Sequence, residues 1–179
     1  MRGWLVGLLM LGAASVVAED KLVGASAPEW RLAEWQNSTP LKLADLKGKV
    51  VLVRWWTAPQ CTYCSATAPA LNEFYQVYHE KGLEIVGAYH HKSTRPLKLA
   101  DVKAHSERFG FKFPVAIDPE WRTLREWWLN RGERDFTSVT FLLDRQGVIR
   151  HIHPGGQYVK GDADYAAMKA AIERLLAEK

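Results

Sequence analysis

Cys61-Thr62-Tyr63-Cys64 is the stretch of this 179-residue chain whose residue types and spacing carry chemistry by themselves. These are its only two cysteines, so thiol chemistry belongs to the pair, and neither a disulfide-stapled scaffold nor a four-cysteine zinc module can be built. Haem attachment at Cys-x-x-Cys requires histidine next, and Ser65 is there. Zinc requires two further ligands, and the six histidines match no finger spacing. A structural disulfide would close a loop too short to restrain the unfolded chain much. There remains a redox-active dithiol, which needs no cofactor beyond its own disulfide.

The flanking elements suit that reading. Val50-Val51-Leu52-Val53 is a continuous apolar, β-branched run, the pattern of a strand buried on both faces, and Trp55-Trp56 extends it to the loop Thr57-Ala58-Pro59-Gln60. Beyond the cysteines, Leu71, Phe74, Tyr75 and Tyr78 fall on one face of a helix that ends near Lys81-Gly82. The pair therefore sits where a strand turns into a helix. At that N-terminus, unpaired N–H groups and the helix dipole favour a thiolate, so Cys61 is expected to attack and Cys64, one turn further, to resolve the mixed disulfide. Thr62 and Tyr63 are expected to tune the thiolate, and Pro69 removes one backbone donor from the helix.

Further along, Leu83–Tyr89 predicts a second strand, 97–109 a helix, Phe113–Ile117 a short strand and Pro119–Asn130 a helix with three tryptophans. Ser138–Asp144 and Val148–His153, joined by Arg145-Gln146-Gly147, predict a β-hairpin, and Asp164 is the expected cap of a last helix with Tyr165, Met168, Ile172 and Leu175 on one face. The order describes one α/β domain with a mixed central sheet flanked by helices.

Other residues carry weaker chemistry. His90, His91, His151 and His153 are candidate imidazole ligands that, with the cysteines, would suit copper or zinc; one of them could instead tune Cys61 or shuttle its proton. The alternative is that these histidines, at strand ends, are solvated. Trp127 and Trp128, about 100° apart on a helix, cannot both enter one narrow stripe; ordinary core packing is the first expectation, and an apolar docking surface formed by one of them is the alternative. Arg54 interrupts an apolar strand and, if buried, calls for a carboxylate partner.

Composition sets the outer limits. With 47% hydrophobic and 25% charged residues the chain is globular, and a net charge of +4 without runs of like charge gives no nucleic-acid signature. Residues 1–18 have the charged start (Arg2), apolar block and small-residue end (Ala18) of a secretory signal peptide, leaving 19–179 as the folded domain. Left uncleaved, this leader would act as a membrane anchor, although the uncharged run Gly3–Ala18 is short for a span. The expected location is the periplasm or another extracytoplasmic space, where a cysteine pair can be oxidised stably.

Four blocks then carry a resemblance: Val23–Trp30, Leu41–Leu52, Trp56–Pro69 including the cysteines, and Thr140–Gly147. Over nearly all of 19–179 the chain resembles the TlpA/ResA-like, redoxin-type branch of the thioredoxin superfamily. The resemblance implies a thioredoxin-like fold with an N-terminal extension. It also implies thiol-disulfide exchange with cysteines of other exported proteins, with a membrane electron donor as a further partner. Two positions depart from the family pattern: Gln60, preceded by Pro59, stands where tryptophan precedes the first cysteine, and Ser138 stands where a cis-proline faces the pair. The superfamily also includes peroxiredoxins, so a thiol peroxidase is an alternative, weakened because Ala58 occupies the place of their threonine. A copper-binding or copper-delivery protein is the other alternative.

Overall fold

The computed structural model describes residues 22–58 and 60–178; the expected leader, 1–18, and Pro59 lie outside the described residues. Along the chain run β1 (Ala33–Gln36), β2 (Val50–Trp56), α1 (Thr62–Tyr78), β3 (Leu83–Tyr89), α2 (Leu99–Phe109), β4 (Val115–Ile117), the short α3 (Arg122–Leu124), β5 (Thr140–Leu143), β6 (Ile149–His153) and α4 (Ala163–Ala177). The six strands form one mixed sheet in the order β1-β4-β3-β2-β5-β6. β2, β3 and β4 run parallel, as crossovers through α1 and α2 require, whereas β1, β5 and β6 join antiparallel to their neighbours.

β2 is the central strand, and all seven of its residues are buried. Its alternation divides the core in two. Val50, Leu52 and Trp56 face α1 and α4, packing with Cys64, Leu71, Phe74, Met168 and Ile172. Val51, Val53 and Trp55 face the other way, onto Leu124, Trp127, Trp128 and Phe141. Arg54 shares the α1 side. α1 runs through Pro69 without interruption, and the chain leaves the following turn at Gly82, whose φ of 103° is open to glycine at little cost.

Three expectations are corrected. Ala33–Gln36, where no element is predicted, is an edge strand on β4; its Ala-Glu-Trp-Gln alternates apolar and polar residues, but over only four positions, one of them Glu34 at φ 52°. The segment 119–130 is not one helix. Glu120 and Trp121 take left-handed conformations (φ 54° and 59°), α3 begins at Arg122, and Arg125–Leu129 widens into a π turn. The Asp118 carboxylate sets this start, accepting from Thr123 N (2.9 Å), Leu124 N (2.8 Å) and Trp55 Nε1 (2.9 Å). In the widened turn Trp127 and Trp128 are both buried, edge-on to Phe141 at 5.4 and 6.0 Å, so neither forms a docking surface. Finally, α4 is capped by Asp162, whose carboxylate accepts from Tyr165 N at 2.7 Å; Asp164 lies inside the helix.

The Asp118 contacts predict a measurable cost. Asp118→Asn keeps the shape but turns an amide N–H towards buried donors, and should lower unfolding stability in urea by about 1–2 kcal/mol. An unchanged midpoint and slope would show that these hydrogen bonds contribute nothing net.

Candidate active site

β2 delivers the chain to the 57–60 loop, and α1 starts immediately after Cys61. Cys61 is the N-cap residue in extended conformation, its Sγ accepting from Cys64 N at 3.2 Å, while Ser65 N is bonded to its carbonyl at 3.0 Å. The sulfur thus occupies the place a serine or aspartate oxygen takes in an ordinary cap, at the positive end of a 17-residue helix. Cys61 and Cys64 are disulfide-bonded. Cys64 is 3% exposed and packed into the α1 core, whereas Cys61 is half-buried. An attacking group must reach Cys61 first. Beside it opens a groove of about 510 Å³, lined by Gln60, Thr62, Tyr63, Tyr89 and Lys92 together with Cys61 itself.

Tyr63 is exposed and packs edge-on against exposed Phe136, 5.7 Å away. This contact brings the 136–138 loop to the cysteine motif. Gly155 makes the approach feasible: its φ is 135°, and a Cβ there would lie 2.1 Å from Phe136 Cβ, so no larger residue fits. Ser138 is buried, and its Oγ accepts from Gly156 N at 3.1 Å. A hydroxyl fastened to a neighbouring loop therefore occupies the place at which the resemblance expected proline.

The same loop is held from below by two buried side chains. His90 Nδ1 lies 2.8 Å from Trp56 O, which can only accept, so Nδ1 carries the proton and Nε2 accepts from Thr137 Oγ1 at 2.9 Å. Burial pushes the His90 pKa down to about 3, so the ring is neutral and moves no proton near pH 7. Arg54, 1% exposed, donates from Nη1 to Ser138 O and to Thr140 Oγ1 (3.1 Å), and from Nη2 to Gly156 O (2.8 Å) and Thr67 Oγ1 (3.5 Å). Its guanidinium lies over the Tyr158 ring, 5.4 Å from the centroid. The expected carboxylate is absent among the described residues; two carbonyls, two hydroxyls and an aromatic face take its place. Neither role was legible in the sequence, because the partners lie 84 and 102 residues from Arg54 and 47 from His90.

The other histidines do not join the cysteines. His91 lies at the edge of the 91–98 connection, its Nε2 donating to Arg95 O at 2.7 Å and its Nδ1 accepting from Tyr89 OH at 3.2 Å. His151 and His153 do share a face of β6, as alternation predicts, opposite Leu142 and Thr140. His153 is buried, edge-on to Tyr158 and 3.4 Å from Asp164 Oδ2; burial lowers the pKa of His151 and of His153. The expectation of solvated strand-end histidines therefore fails at His90 and His153. Among the described residues no three His, Cys, Asp or Glu side chains are grouped to hold a metal ion.

The comparisons agree with this geometry. The profile of the AhpC/TSA family matches residues 23–152. The thiol-disulfide oxidoreductase ResA of Geobacillus kaustophilus is 32% identical over 133 residues, 74% of this chain and 70% of ResA. Protein DipZ of Mycobacterium bovis is 28% identical over 155 residues, 84% of this chain but only 21% of DipZ, so the chain spans about a fifth of that relative. Among solved structures, a thiol-disulfide isomerase from Corynebacterium glutamicum superposes with a TM-score of 0.66 at 26% identity, covering 86% of this chain and 98% of that one. A Chlorobium tepidum protein assigned as a thiol:disulfide interchange protein DsbE gives a TM-score of 0.71 at 25% identity, over 87% and 98%. With its thioredoxin-like fold and paired cysteines at the start of α1, the chain belongs to the AhpC/TSA family, among the thiol-disulfide oxidoreductases related to ResA.

Proposed function

We propose that the chain is an exported thiol-disulfide oxidoreductase that exchanges the Cys61–Cys64 dithiol and disulfide with cysteines of other exported proteins. The observation that carries this reading is the division of labour between the sulfurs: Cys61, half-buried, caps α1 beside an open groove, and Cys64 is shielded behind it. In the reducing direction, the Cys61 thiolate attacks a substrate disulfide. One substrate sulfur leaves as thiolate, and a mixed disulfide joins the other to Cys61. Cys64, deprotonated, then attacks Cys61 Sγ and expels the second substrate thiolate. Two electrons pass to the substrate, and the intramolecular disulfide remains. The same steps in reverse oxidise a dithiol substrate. Export rests on the leader grammar of residues 1–18, and places the protein in the periplasm or a comparable oxidising space. A membrane electron donor would re-reduce the pair when it works as a reductant.

The test is a titration of the purified protein in defined dithiol/disulfide buffers, with the state of Cys61 and Cys64 read by thiol alkylation, alongside exchange with a protein disulfide. Expected are a two-electron transition and catalysed exchange. A pair that stays oxidised throughout, or exchange no faster than buffer alone, would refute the reading. The AhpC/TSA match favours peroxide as a second substrate class. Rapid Cys61-dependent peroxide consumption would select it, although Ala58 lines the groove where the peroxidase pattern has threonine.

A further inference from the structure

Burying a guanidinium in a protein core is costly, and a carboxylate sharing the site offsets the cost. At Arg54 the partners are carbonyls, hydroxyls and a ring, and Nε is buried with no partner. The groups around it leave the charge uncompensated. Tyr158, with its pKa raised by burial, is neutral, as is His90 on the β3 side. His153 on β6 is held down by burial and then by Arg54 itself. Asp118 bonds Trp55 on the opposite face of the sheet, and the Asp164 side chain is exposed at the rim. Arginine stays protonated even when desolvation lowers its pKa, as it does here.

The position of this charge relates it to the cysteines. Arg54 projects from β2 towards α1, and its Nη2 contacts Thr67, which lies three residues after Cys64 on the same helical face. The guanidinium thus meets the second turn of α1 at Thr67, a residue that lies about 4.5 Å along the helix axis from Cys64 and about 9 Å from Cys61. Its Nη1 holds Ser138 O in the loop whose Phe136 meets Tyr63. The intervening space is packed protein, where charge acts at longer range than in water.

We propose that Arg54 is a positioning residue whose buried, uncompensated charge stabilises the thiolate of the reduced pair, and so makes the Cys61–Cys64 disulfide easier to reduce. The inference rests on the exchange proposed above and assigns what sets its equilibrium. Reduction of the disulfide takes two electrons and two protons if both products are thiols. It takes two electrons and one proton if Cys61 remains a thiolate. A cation buried against α1 one turn beyond Cys64 favours the second product, and stabilising the reduced form raises the reduction potential.

Three substitutions in the full chain separate charge from packing: Arg54→Met, Arg54→Gln, which can still donate to the Ser138 and Gly156 carbonyls, and Arg54→Lys. The readouts are the pH dependence of Cys61 alkylation in the reduced protein and the equilibrium with glutathione. Wild-type Cys61 should titrate below the ordinary thiol value of about 8.5. Arg54→Met and Arg54→Gln should each raise that midpoint by about one pH unit and, measured at a pH above both midpoints, make the disulfide about tenfold harder to reduce, equivalent to about 30 mV. Lysine should stay near wild type. If the methionine protein does not fold, glutamine carries the same test.

A glutamine variant that matches wild type in both readouts overturns the proposal, as does a wild-type midpoint at or above 8.5. The pattern of shifts without wild-type exchange on a protein disulfide would refute the proposed function and leave the role of Arg54 standing. Exchange with no shifts would do the reverse.

Discussion

Cys61→Ser should reduce exchange with a protein disulfide to the uncatalysed background, because serine at the N-cap satisfies the helix equally well but supplies no thiolate. The fold should survive: serine is a favoured cap, and the sulfur's structural hydrogen bond, from Cys64 N, passes to a hydroxyl. Cys64→Ser should behave differently. The attacking sulfur remains, the buried resolving sulfur is gone, and the protein should accumulate as a one-to-one mixed disulfide with its substrate. Non-reducing electrophoresis and mass spectrometry read that adduct directly. If Cys61→Ser retained exchange and Cys64→Ser lost it without trapping substrate, the order of attack would be reversed. That outcome would contradict the exposures of the two sulfurs, since Cys64 is 3% exposed.

Acid should destabilise the protein through His90. Its folded-state pKa, about 3, lies below the usual value of 6.5, so the unfolded chain binds a proton that the native state refuses. The neutral ring's contribution is fully present above pH 6.5 and is lost progressively as pH falls towards 3. At about 1.4 kcal/mol per pH unit, the loss relative to neutral pH is roughly 3 kcal/mol at pH 4.5. His90→Gln offers a control, because its amide can donate to Trp56 O and accept from Thr137 Oγ1 without titrating. Urea midpoints measured from pH 7 to 4.5 should fall more steeply for wild type than for the glutamine variant. Parallel curves would mean that His90 is not held neutral. Since this ring pins Thr137, next to Ser138, the first consequence of protonation should be felt at the loop beside the cysteines.

The parts of the fold legible in the sequence were those written in local pattern. β3 occupies the predicted Leu83–Tyr89, β2 fills the predicted run through Trp56, and the cysteines lie at the strand-to-helix turn. What escaped depends on contacts distant in sequence or on unusual backbone. β1 alternates apolar and polar residues over only four positions, one of them a left-handed glutamate, too short and irregular a run to mark a strand. The break at Glu120-Trp121 follows from the Asp118 carboxylate reaching forward to Thr123 and Leu124, which no helical periodicity records. Asp162 and Asp164 are both suitable caps by type, and only the path of the chain selects the first. At the candidate site, the placing of Cys61 and Cys64 together at the start of α1 was legible from spacing. The neighbours that hold Ser138 were not, because a histidine and an arginine in apolar strands do not announce which carbonyls they will meet.

The sheet ends on two strands ill suited to recruiting a seventh. β1 is four residues long, its pairing with β4 is irregular between Ala33 and Gln36, and Glu34 and Asn37 both take left-handed conformations. β6, on the far side, carries Arg150 tied to Asp144 and Glu178, and its pairing with β5 slips between Leu142 and Leu143. A flat, regular border would offer a row of free amides and carbonyls to any extended segment. Charged and interrupted borders turn such a segment away. Under the proposed function the molecule meets other chains through one sulfur, and such borders would keep it from sticking to them through its backbone and hinder its copies from growing into fibrils through their edges.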